Sequence, residues 1–64
     1  MKIKWTNKWS GEVGFVKSIN TKESYFENTF DEAEAKVFTK NAITKALKQL
    51  AAFADWNDYE TVAV

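Results

Sequence analysis

Asp31, Glu32 and Glu34 stand within four positions of one another, close enough along the chain to share a proton or to hold a divalent cation. Either chemistry needs further groups. The chain contains no Cys and no His, which excludes a zinc site of nitrogen and sulfur ligands, a thiol nucleophile and an imidazole base titrating near neutral pH. No set of base, nucleophile and orienting group can be assembled from the remaining residue types. A helix start explains the three acids better, because peptide dipoles favour negative charge there, and Lys45 and Lys48 balance them toward the other end. The expectation is a non-enzymatic protein that binds, with no cofactor and no metal.

Two groups of residues are suited to binding. Asp55, Trp56, Asp58 and Tyr59, followed by Glu60, place aromatic rings among carboxylates, a composition that suits a basic surface on another protein. The rival reading of this stretch is a Trp folded back over the end of the core. Lys2, Lys4 and Lys8 recur at even positions of the first strand and could follow a phosphate backbone. Against that, Glu12, Glu23 and Glu27 are expected on the same face, and no Arg is present for bidentate contacts to phosphate or guanine. A solvated sheet face with lysines guarding an edge accounts for the pattern. Trp5, Trp9 and Phe15 could stack bases, but they become core if a helix covers their face. The first expectation is therefore a protein partner acting through Asp55, Trp56, Asp58 and Tyr59. Nucleic acid on the Lys2, Lys4 and Lys8 face is the alternative, and a homodimer is compatible with either.

The elements that position these groups fit in one domain of 64 residues, in which nine Lys balance nine Asp plus Glu. Ten aromatic residues, each burying ~150–250 Å², supply much of the core. The longest apolar run, Leu50 to Ala54, falls far short of the ~20 residues of a membrane span, and no charged and apolar leader precedes the first strand. This reads as a cytoplasmic protein of a bacterial host cell, with no membrane partner.

Residues 2 to 9 alternate, with Ile3, Trp5 and Trp9 on the odd face, and residues 13 to 19 repeat this with Val13, Phe15 and Ile19. Pairing odd with odd requires an odd loop, Ser10 to Glu12, and sends Val16 to the outer face. A second turn at residues 20 to 23 pairs Ile19 with Ser24, which puts Phe26 and Phe30 inward and Tyr25, Glu27 and Thr29 outward. The helical stripe Ala42, Ile43, Ala46, Leu47, Leu50, Phe53 and Ala54 runs out of phase before Thr39. A short helix over 31–37 and a main helix over 40–54 follow, with Thr39 as the second N-cap and Phe38 and Ile43 at staple spacing. Residues 59–64 form a last strand, expected parallel to the first. The fold class is α+β: an antiparallel β-meander of three strands, a short and a main helix packed on one face and a fourth strand, βββααβ in order 3-2-1-4.

Phe-Glu-Asn-Thr-Phe-Asp-Glu-Ala-Glu-Ala-Lys-Val-Phe at 26–38, Thr39-Lys40-Asn41-Ala42 and the terminal Tyr59-Glu60-Thr61-Val62-Ala63-Val64 resemble small uncharacterised phage and prophage proteins of low-GC bacteria. The resemblance covers most of the chain and implies an accessory protein that modulates a host protein, without assigning any residue a role. Residues 5 to 38 also look like the three-stranded, one-helix arm-binding domains of phage-type integrases. The missing Arg and the balanced charge count against that likeness.

Overall fold

The register of the first hairpin is set by its turn. In the computed structural model, which describes residues 1–64, β1 (Lys2–Asn7) and β2 (Val13–Asn20) pair antiparallel. The Asn7 side-chain oxygen accepts the N–H groups of Trp9 and Ser10, both at 2.9 Å, and Gly11 takes φ +74°. Closure comes at Asn7, whose N–H donates to the Glu12 carbonyl at 2.8 Å. The loop enclosed, residues 8–11, is even in length, so Lys4 faces Phe15, Trp5 faces Gly14 and Thr6 faces Val13. The expected odd loop does not form, and a one-residue change of register turns each side chain of that stretch to the other face.

What makes the even register compact is Gly14. The Trp5 indole lies across it, and a Cβ there would collide with Trp5 Cζ2. The indole N–H donates to the Phe15 carbonyl at 3.2 Å. Val16, expected outside, is fully buried, while Phe15 and Val13, expected in the core, share the outer face with Lys4 and Thr6. A β-bulge at Lys17 then shifts the alternation by one residue and returns Ile19 to the inner face. Ile19 pairs with Phe26 of β3 (Tyr25–Thr29) rather than with Ser24, and Tyr25, Glu27 and Thr29 point outward as expected.

The short helix expected over 31–37 contracts to one 3-10 turn, Glu32–Glu34, whose cap Asp31 accepts the Ala33 N–H at 3.0 Å. This turn sits on the outer face, where Thr29 donates to Glu34 Oε1 at 3.2 Å and Lys2 Nζ donates to the Glu32 carbonyl at 2.6 Å. Beyond it the chain is extended. β1 and β2 stop pairing at Lys4 and Phe15, and residues 36–38 fill the gap left between them. Lys36 donates its N–H to the Val16 carbonyl at 3.0 Å, and Phe38 exchanges two backbone bonds with Met1, at 2.7 and 2.9 Å. This wedge carries the chain from the outer face to the inner one, where Phe38 is buried.

Thr39 caps α1 (Lys40–Phe53) by accepting the Ala42 N–H at 3.1 Å, which confirms the expected break at Phe38 and Thr39. Ile43, Ala46 and Leu50 meet Ile3, Trp5, Val16 and Phe38 in the core, with Leu47, Phe53 and Phe26 half-buried at its margin. Because the wedge already runs antiparallel to β1, α1 returns along β1 and β4 (Asn57–Val62) descends again. β4 therefore pairs antiparallel to β1, from Lys2 opposite Val62 to Asn7 opposite Asn57, where a parallel strand was expected. The sheet order is β3-β2-β1-β4, the α+β arrangement expected. Its outermost strands approach across the inner face, where the Phe26 and Tyr59 rings meet edge-on with centroids 6.3 Å apart.

Two substitutions test this packing by denaturant unfolding. Gly14→Ala should destabilise by ~1–3 kcal/mol, because the added methyl displaces the Trp5 ring. Leu50→Ala should cost ~2–5 kcal/mol, whereas Phe15→Ala, on the opposite face, should cost clearly less.

Candidate functional site

α1 ends where the Ala54 N–H donates to the Leu50 carbonyl, and the chain turns through Asp55 and Trp56 into β4. The Lys8 N–H donates to the Trp56 carbonyl at 3.0 Å, which pins this turn against the β1–β2 hairpin. Tyr59 Oη donates to the Ala54 carbonyl at 2.6 Å and accepts from Asn57 Nδ2 at 3.4 Å. With its one proton committed, the hydroxyl offers Asn57 only an acceptor, which fixes the amide with Nδ2 toward Tyr59 and Oδ1 away from it. Burial pushes the Tyr59 phenol above its ordinary value; the Asn57 bond opposes this and the Asp55 charge adds to it.

The expected site residues fall into two neighbouring hollows. Asp55, Asp58 and Tyr59 line an open one of about 350 Å³ together with Lys8 and the helix residues Leu47 and Ala51. Trp56 turns the other way and joins Trp5, Phe26, Asn7, Asn28 and Glu12 around a hollow of about 230 Å³. Asn57, which is only 6% exposed, forms part of both walls. Its Oδ1 is buried without a hydrogen-bond partner, the one such side-chain atom in the molecule.

The lysines expected to form a phosphate-binding stripe are dispersed. Lys4 pairs with Glu60 at 3.4 Å, Lys2 is held by the Glu32 carbonyl, and Lys8 lies beyond β1 beside Asp55 and Asp58. Asp58 and Glu60 stand directly opposite Thr6 and Lys4, so the outer face alternates in charge. The carboxylates Asp31 and Glu34 are engaged locally, and no group of three ligand-type side chains converges in a way that could hold a metal ion.

Sequence reasoning assigned Trp9 and Phe30 to the core, yet Trp9 is 79% and Phe30 65% exposed. Both stand at the same end of the sheet as Trp56, itself 44% exposed. Phe30 rests its ring edge on Trp5, with centroids 5.9 Å apart. The amides Asn7, Asn28 and Asn57 were passed over because an Asn within a strand pattern carries no chemical signature. A third hollow of about 370 Å³ at the other end, between Ile19 and α1, is flanked by Lys36 and Lys45. Set against protein-family models, curated proteins and solved structures, the chain matches none. No helix is long and apolar enough to cross a membrane.

The raised Tyr59 value links stability to pH. A group that the fold keeps protonated contributes stability below its unfolded value, 10.0, and loses it as pH rises through the folded one. Tyr59→Phe should lower the melting temperature at pH 8, and the gap to the wild type should close above about pH 10 in thermal melts.

Proposed function

We propose that the protein is a non-enzymatic binding module whose hairpin end, carrying Trp9, Phe30 and Trp56 beside Glu12, Asp55 and Asp58, holds a basic segment of another protein. The observation that carries this reading is the exposure of three large aromatic rings, Trp9, Phe30 and Trp56, at one end of the domain. Aromatic anchors ringed by polar groups carry most of the energy of protein interfaces, and the surplus of carboxylates over Lys8 selects a positively charged partner. The resemblance to phage proteins suggests that this partner is a host or phage protein met in the cytoplasm of a bacterium. Nucleic acid on the outer face is the weaker reading, since Lys4 and Lys2 are already engaged and acidic residues alternate with them.

Affinity capture from a bacterial lysate with the tagged protein, followed by titration of the captured partner, tests the reading. Trp56→Ala should leave the melting temperature near that of the wild type and weaken the partner by ~2 kcal/mol or more. Normal binding by Trp56→Ala, with loss of binding in Lys2→Glu combined with Lys4→Glu and a steep salt dependence on generic DNA, would instead assign the work to the outer face.

A further inference from the structure

The smaller hollow has a chemistry of its own. The aromatic residues Trp5, Phe26 and Trp56 line it, and Glu12 is its one charged residue. Glu12 has no ion-pair partner; the two ion pairs of the molecule are Lys4 with Glu60 and Lys17 with Glu27. The donors at its wall are partly spent, because the Trp5 N–H is committed to the Phe15 carbonyl. The Asn7 oxygen is likewise saturated by two backbone N–H groups. The Asn7 and Asn28 amide N–H groups and the Trp56 indole N–H stay unengaged, and the one buried group without a partner is an acceptor, Asn57 Oδ1, turned away from Tyr59 in a side chain that is more than nine-tenths buried. A buried carbonyl oxygen of this kind asks for an N–H.

Flat aromatic walls, an unpaired carboxylate and an unfilled acceptor together select a flat cation with several N–H donors. We infer that the Trp5, Trp56 and Glu12 hollow receives the guanidinium of an arginine on the partner, stacked on the indoles, paired with Glu12 and donating to Asn57 Oδ1. This rests on the proposed partner-binding role and names the residue that the partner must present. A guanidinium is planar, weakly hydrated and rich in donors, so it stacks and forks where the compact, strongly hydrated ammonium of a lysine does neither. A nucleobase has the flat shape without the charge, and the phosphates that accompany it meet Glu12, Asp55 and Asp58 at the rim.

The test uses the whole chain, labelled with ¹⁵N, and capped tripeptides Gly-Arg-Gly, Gly-Lys-Gly, Gly-trimethyllysine-Gly and the neutral isostere Gly-citrulline-Gly. The arginine peptide should shift the Asn57 side-chain amide and the Trp5 and Trp56 indole N–H signals, and bind at least fivefold more tightly than each of the others. Glu12→Gln, which leaves the backbone bond between Asn7 and Glu12 intact, should weaken it at least threefold, with Trp5 and Asn57 signals otherwise unchanged. Equal binding of the lysine and arginine peptides, with shifts confined to Asp55, Asp58 and Tyr59, would overturn the inference while leaving a basic partner in place. Tighter binding of trimethyllysine or citrulline would overturn it in favour of an aromatic cage or a neutral ligand. Absence of any shift with all four peptides would overturn it as well, and partner capture that still depends on Trp56 would then show that the broader reading survives.

Discussion

The Trp5 indole needs a flat surface to lie on, and Gly14 is the residue that provides one. With no Cβ beneath it, the ring covers the neighbouring strand and reaches the Phe15 carbonyl, so the largest side chain of the core is seated within a two-stranded register. Much of the rest follows from that seat. Gly14 inward means Val16 inward and Phe15 outward; Ile19 can then reach the core only through the bulge at Lys17, which in turn sets the pairing with Phe26. The same indole also serves the surface, as part of the lining of a hollow and a neighbour of the Phe30 ring. Core and candidate site are thus two sides of one residue.

The wedge of residues 36–38 is the second constraint. It fills the space where β1 and β2 part, satisfying backbone groups that would otherwise face an open seam, and it reverses the sense in which α1 and β4 run. That reversal brings the end of α1 to the hairpin, and so gathers Asp55, Trp56, Asn57 and Asp58 around Lys8 and Asn7. With a single helical return, β4 would have run parallel to β1 and its acidic start would have stood at the other end of the sheet.

Features governed by local physics were legible in the sequence. Thr39 with its capping bond, the stripe of Ile43, Ala46 and Leu50, the inward Phe26 and the order of the strands all follow from periodicity and turn chemistry. The hairpin parity was not, because it hangs on one Asn7 side-chain oxygen and one contact between Trp5 and Gly14, neither of which alternation encodes. The direction of β4 was lost for a similar reason: main-chain bonds from Lys36 and Phe38 carry no residue signature. Of the candidate site, Asp55, Asp58 and Tyr59 stand together as their spacing suggests, whereas Trp56 is drawn to Trp5 by a strand pairing that juxtaposes Asn7 and Asn57.

β1 lies at the centre of the sheet yet finds one of its two neighbours only in the last strand, with Lys2 opposite Val62. During synthesis, β1, β2 and β3 can form a meander as soon as they emerge, but β1 keeps a bare edge until residues 57–62 have left the ribosome. A three-stranded sheet with an open edge is the kind of species that pairs with other chains. The charges along that edge, Lys2 and Lys4 flanking Ile3, are placed where they discourage intermolecular pairing until the fourth strand is in place.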